Sequence, residues 1–141
     1  MTIKEKQQTI IEEFSLFEDW MDKYSYLIEL GKELPLIDKQ YKTNRYLISG
    51  CQSRVWLHAE LKVGKMYLTA DSDAVITKGI IALLVQVLSG HSPHEILDAG
   101  FDFLEPIGLK DHLSPTRANG LLSMTKQIQL YAKAFQIKMN Q

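Results

Sequence analysis

Apolar residues return every three or four positions at the start of the chain: Ile3, Ile10, Ile11 and Phe14, then Trp20, Met21, Tyr24, Leu27 and Ile28. That spacing predicts two helices meeting near residues 15–19, each with one buried stripe. Gly31 reads as the residue just past the second helix, and Pro35 forbids continuation. Residues 32–43 form a polar connector. The period then drops to two. Residues 46–49 read as a short strand; Val55, Leu57, Ala59 and Leu61 alternate with Arg54, Trp56, His58 and Glu60; and beyond Gly64, Met66, Leu68 and Ala70 alternate again. This is the rhythm of half-buried strands, and it predicts a three-stranded antiparallel sheet with residues 50–53 as the tight link between its first two strands.

Helical spacing resumes after the sheet. Asp71, Ser72 and Asp73 offer capping oxygens, and Val75, Ile76, Ile80, Leu83, Leu84, Val87 and Leu88 trace a strong stripe that Gly90 ends. Ser92, Pro93, His94 and Glu95 have the form of a capping box with Pro at the first helical position, which predicts a short helix to Asp98. A loop with Gly100, Pro106 and Gly108 follows. Ser114 and Pro115 open the last helix, with apolar positions at Ala118, Leu121, Leu122, Ile128, Tyr131, Ala132 and Phe135. No repeat or linker interrupts this order, so the expectation is one α+β domain over residues 1–141, its sheet packed against the N- and C-terminal helices.

Charge narrows the partners. Sixteen Lys and Arg against seventeen Asp and Glu leave a net charge of −1, so there is no positive field to hold nucleic acid or an anionic membrane. The N-terminal stretch lacks the apolar core of a signal peptide, and the longest apolar run stops at Gln86, which predicts a cytoplasmic protein without a membrane anchor.

Cys51 is the one cysteine of the chain. It can form no internal disulfide and hold no zinc or iron–sulfur site alone; His91 and His94, three apart around a Pro, are too few and too turn-like for a metal site, and none is expected. A lone cytosolic cysteine is ordinarily an inert packing residue. Here Ser49 and Gly50 precede it and Gln52 and Ser53 follow, a small, polar, turn-like setting in which a thiol can be reached by a partner. Its reactive form is the thiolate, which a nearby cation would favour. Of Arg45, Arg54 and Arg117, the last is the most suggestive, because the first turn of a helix disfavours positive charge. The plainer reading has Arg117 cover apolar surface with its head paired to Glu105 or Asp111. Neither a Ser-His-Asp arrangement nor a Gly-rich phosphate loop can be placed, and His58 stands too far along the next strand to serve Cys51 as a base.

Three segments taken together, GCQSRVW at 50–56, DSDAVITKGIIALL at 71–84 and LSPTRANGL at 113–121, resemble the signature segments of the SufE family in order and separation, and residues 24–35 resemble its N-terminal helix and exit. The resemblance implies an α+β fold similar to that of the U-type Fe–S scaffold proteins. It further implies a sulfur acceptor and activator for a pyridoxal-phosphate cysteine desulfurase, SufS- or CsdA-like, in Fe–S cluster assembly, with a scaffold such as SufB downstream and the cofactor on the partner alone. Cys51 matches the family's persulfide-accepting cysteine, and Arg117 the arginine of its last-helix motif. Gly50, Gln52, Ser53 and Asp73 match positions in the loop and docking region. The reaction so implied is thiol exchange at a persulfide, half of a transfer rather than a stand-alone enzyme's turnover. A docking module with a structural Cys51 is the other reading.

Overall fold

The computed structural model describes residues 1–140, Lys110 by its backbone alone. Helices α1 (Ile3–Ser15) and α2 (Trp20–Glu33) form where the apolar stripes predict them. Each begins on a side-chain cap: Thr2 accepts from the Glu5 N–H while Glu5 accepts from the Thr2 N–H, and Asp19 accepts from the Asp22 N–H. The caps satisfy N–H groups that have no partner inside the helix, which is why the chain restarts its helix at Trp20. Ile3, Ile10, Phe14, Leu27 and Leu30 are buried, whereas Met21 stays exposed.

Gly31 does not end α2, as its sequence context predicts; it lies inside the helix, which runs to Glu33. Its role is close approach to α3 (Val75–Leu88). A Cβ on Gly31 would stand 3.1 Å from the Gly79 nitrogen, and one on Gly79 would overlap the Leu27 carbonyl oxygen. The two helices therefore cross backbone to backbone.

The sheet has two strands, β1 (Val55–Lys62) and β2 (Lys65–Ser72), antiparallel with Val55 opposite Ser72 and Lys62 opposite Lys65. Their inward set, Val55, Leu57, Ala59, Met66, Leu68 and Ala70, is buried as the alternation requires. The predicted third strand is not formed. Residues 44–46 coil into a 3-10 turn, and pairing is confined to one bridge between Leu47 and Trp56, with the Ile48 N–H donating to the Val55 carbonyl at 2.8 Å. The cause lies on the outer face of the sheet, where Tyr41 stacks on His58 with ring centroids 3.5 Å apart and Tyr46 meets both rings edge-on. Covering that face with two aromatic rings requires a coiled backbone over residues 39–46, and only the end of the segment is free to pair.

Helix α3 is buried around most of its circumference, with Thr77, Gly79 to Val85, Val87 and Leu88 all inside, although Val75 at its start is exposed. A helix apolar on all sides belongs in the middle of a domain. It packs on β2, on α2 and on α7 (Pro115–Met139). The capping role read for Asp71, Ser72 and Asp73 is overturned, since Ala74 occupies the cap position and no side chain caps the helix. Those side chains instead fasten the end of the sheet. The Asp73 carboxylate accepts from the Arg54 N–H at 3.0 Å, the Ser72 hydroxyl donates to the Arg54 carbonyl at 2.7 Å, and Asp71 faces Lys42 and Lys78 at 3.0 and 3.3 Å.

Helix α4 (Pro93–Ala99) starts on the capping box formed by Ser92 and Glu95. The loop predicted beyond it contains two single-turn helices, α5 (Leu104–Ile107) and α6 (Leu109–His112), with buried Leu104, Ile107 and Leu109. Helix α7 begins as predicted, the Ser114 hydroxyl accepting from the Arg117 N–H at 3.3 Å. It buries Leu121, Met124, Ile128 and Ala132, while Leu122 faces out.

Candidate functional site

The link between Ile48 and β1 lies down on α7. Gly50 has φ +91°, a left-handed conformation open to glycine at little cost, and a Cβ there would also overlap the Ser123 hydroxyl of α7. This turn delivers Cys51 to the helix. Its side chain is half-buried against the core, and the Sγ donates to the Gly120 carbonyl at 3.6 Å. A thiol is a weak donor, so this contact orients the sulfur more than it stabilises it.

A cleft of about 350 Å³ opens beside the sulfur. Gln52 and Ser53 border it from the link, Thr77 and Ile80 from α3, and Arg117 and Met124 from α7. The spacings explain the convergence: 77 and 80 are three apart, and 117, 120 and 124 are three and four apart, so each set shares one helix face. Cys51, Gln52, Ser53 and Arg117, read from distant parts of the sequence, thus border one cavity. Gly50 adjoins it as the turn. Asp73 does not line it; its carboxylate holds the Arg54 end of the link instead.

Arg117 is exposed and has no carboxylate within 4 Å among the described residues, so the predicted pairing with Glu105 or Asp111 is not made. Nor does the guanidinium activate the thiol in this conformation: burial alone pushes Cys51 above its ordinary value, with no cation offsetting it. The tucked sulfur is a protonated thiol and a poor nucleophile. Outward movement of the link removes the cause of the shift. The arrangement can therefore hold a sulfur quiescent and restore its reactivity by exposing it.

His58 has no part in this. It sits under Tyr41 on the outer face of the sheet, where burial lowers its pKa and Glu60 pulls the other way. Residues missed by the sequence reading are Gly120, which forms the floor beneath the thiol, and Thr77. Gly120 carries a signal in hindsight, a glycine well inside a helical pattern, which costs helix stability and calls for a packing reason. A Cβ there would stand 3.6 Å from the sulfur.

The SufE family model, described as an Fe-S metabolism associated domain, matches residues 8–132. The chain belongs to the SufE family. An uncharacterised SufE-like protein of Synechocystis is 39% identical over 128 residues, spanning 91% of this chain and 80% of its own. A SufE-like protein of Rhizobium meliloti is 41% identical over 130 residues, 88% of this chain and 92% of its own. The Arabidopsis thaliana SufE-like protein 1, chloroplastic/mitochondrial, is 41% identical over 94% of this SufE chain, which spans only 36% of the plant protein. The fold is similar to the solution structure of a hypothetical protein from Thermus thermophilus, with a TM-score of 0.76 and 23% identity over 92% of this chain and 94% of that one. Among the described residues of this SufE protein, no helix is long and apolar enough to cross a membrane.

Proposed function

We propose that this SufE protein takes sulfur from the cysteine persulfide of a pyridoxal-phosphate cysteine desulfurase onto Cys51, stimulates that desulfurase, and passes the sulfur to an Fe–S scaffold. The observation that carries this reading is the placement of the chain's single cysteine on a short link, tucked on α7 beside a cleft that Arg117 borders. A packing cysteine has no need of a turn or of a cavity next to its sulfur.

In this mechanism the link swings out when the desulfurase docks, the thiol loses its burial, and its pKa falls toward ambient pH, where an attacking thiol is most effective. The Cys51 thiolate attacks the sulfane sulfur, and the desulfurase thiolate leaves. Gly50 serves as the hinge, Gln52 and Ser53 contact the partner, and Asp73 keeps one end of the link in place. Arg117 meets the negative sulfur at the cleft. The cofactor remains on the desulfurase, which is SufS- or CsdA-like, and the acceptor beyond is a scaffold of the SufB kind. A reducing compartment such as the cytoplasm suits the single thiol.

The test is intact mass after incubation with a cysteine desulfurase and cysteine, in wild type and Cys51→Ser. A gain of one sulfur on wild type, with loss of gain and of stimulation in the folded variant, is the expected outcome. Stimulation retained by Cys51→Ser would make the protein a docking module with a structural cysteine.

A further inference from the structure

Helix α7 has a second face that the domain does not use. Leu122, Leu130 and Ile137 are 47%, 59% and 64% exposed, and Lys126 and Lys133 are exposed between them. The intervals along this set are four, four, three and four, so these residues form one straight stripe about 22 Å long, apolar and basic in turn. A single exposed apolar residue is ordinary on a surface, whereas several in line on one helix mark a contact site. Gly120 and Met124 border the Cys51 cleft. Leu122 and Lys126 stand two positions beyond each, about 200° round the helix, so the stripe looks away from that cleft.

The charge on this helix is one-sided. Its cations are Arg117, Lys126, Lys133 and Lys138, and its sequence holds no Asp or Glu, in a chain whose net charge is −1. Lys126 and Lys133 have no carboxylate within 4 Å among the described residues. At the Leu122 end a cleft of about 380 Å³ opens between α7 and residues 100–105, with Phe101, Leu121 and Leu122 on its walls. Asp102 and Glu105 stand on the side of that cleft facing α7. An acidic occupant is therefore attracted along the two lysines and turned away at the cleft, which leaves the cleft to an apolar side chain.

We propose that this stripe is a docking surface for an acidic amphipathic helix of a partner protein, which sets apolar side chains against Leu122, Leu130 and Ile137 and carboxylates against Lys126 and Lys133. A helix laid nearly parallel to α7 stays in contact along the whole stripe, and its own three- and four-residue spacing matches it. A second copy of this chain fits less well. The register that opposes Leu122 to Ile137 across a twofold axis also opposes Lys126 to Lys133, which sets like charges together. A bilayer fits less well too, since the lysines interrupt the apolar line instead of flanking it. The surface goes beyond the proposed sulfur transfer and does not rest on it. A partner seated here leaves the Cys51 cleft open, so the chain can be held by one protein while its thiol engages another.

The probe is a fluorescent synthetic helix of about 20 residues with Leu and Glu alternating at three- and four-residue spacing on one face, titrated against the full chain by anisotropy. Controls are a scrambled peptide of the same composition and a counterpart with Lys for Glu. The Leu/Glu helix should bind, more weakly as salt rises, and the other two should not. Lys126→Glu combined with Lys133→Glu should weaken it at least about tenfold and transfer binding to the Lys counterpart, the size of two surface attractions turned to repulsions. Leu130→Ser should weaken both. Arg117→Ala should leave the affinity unchanged, and iodoacetamide should alkylate Cys51 at the same rate with the peptide bound. No binding of the Leu/Glu helix at about 1 mM, equal binding of the scrambled peptide, or an unchanged affinity in the double lysine variant would overturn the surface. So would loss of binding in Arg117→Ala alone, which would put the peptide at the Cys51 cleft. Self-association in sedimentation, or flotation with phosphatidylglycerol vesicles, that the double lysine variant abolishes would give the stripe to a second copy or to a membrane instead.

Discussion

The Cys51 thiol of this SufE protein donates to the Gly120 carbonyl at 3.6 Å, and no side chain on α7 stands between the sulfur and that backbone. The geometry sets a size limit at position 120. A methyl group there makes ordinary contact with the sulfur, whereas a branched side chain needs the room the thiol occupies. Since the link is less firmly packed than the core, the link yields. Gly120→Leu should speed iodoacetamide alkylation of Cys51 at about pH 7.5 several-fold, since it frees a thiol whose reactivity burial suppresses, with Gly120→Ala close to wild type. Equal rates in all three proteins would remove the floor role.

Burial pushes the Cys51 thiol up, so its alkylation rate should reach half-maximum above the ordinary thiol value of about 8.5. The sign for stability follows from the same shift. A pKa raised in the folded state means that the fold favours the protonated thiol; that contribution is whole below about pH 8.5 and disappears as pH rises through the higher native value. The urea midpoint difference between wild type and Cys51→Ala should therefore shrink in the alkaline range. A difference that grows there would contradict a buried, protonated sulfur.

Gly79 carries the crossing of α2 and α3. A Cβ on it meets the Leu27 backbone, which cannot rotate away, while one on Gly31 meets the Gly79 nitrogen at 3.1 Å and the flexible Lys78 side chain at 3.3 Å. Gly79→Ala should cost at least about 1–3 kcal/mol, the range of overpacked cores, and Gly31→Ala less. Urea unfolding reads both, and the reverse order would refute the backbone contact.

Asp73 holds the Arg54 N–H from an exposed position. Its removal in Asp73→Ala should cost about 0.5–1.5 kcal/mol, toward the lower end. It should also raise hydrogen exchange at the Arg54 amide. Asp73→Asn keeps an acceptor oxygen and should behave nearly as wild type. Unchanged exchange in the alanine variant would mean that another group secures this end of the link.

Period and punctuation made most of the architecture legible. The stripes of α1 and α2, the alternation from Val55 to Leu61 and the capping box at Ser92 each depend on contacts only a few residues apart. What escaped the sequence was decided across the fold. Residues 46–49 have strand composition, but Tyr46 is drawn over His58, and no local rule reports that. Gly31 has the context of a helix terminus, yet its function belongs to Gly79, far along the chain. Asp71, Ser72 and Asp73 look like caps because capping is what such residues do for their own neighbours; here they bind Arg54, Lys42 and Lys78 instead. At the site, Cys51 and Arg117 were accessible to reasoning from residue type and setting. Gly120 offered only the general signal of a glycine inside a helix, and Thr77 none, since what they do comes from lying against the sulfur's cavity.

The bridge that replaces the third strand also limits how far the thiol can travel. With Ile48 bonded to Val55 and Arg54 bonded to Asp73, both feet of the link are tied close together, which confines the proposed outward swing to its crown. Six Cα-to-Cα steps separate residues 48 and 54, a contour of about 20 Å when fully stretched, so the crown can rise about 10 Å from its base. In the proposed role, a short tether of this kind would carry sulfur over about 10 Å and no farther. In the proposed transfer, the desulfurase must therefore bring its own persulfide to the mouth of the link, on a mobile segment or at the bottom of a shallow bowl.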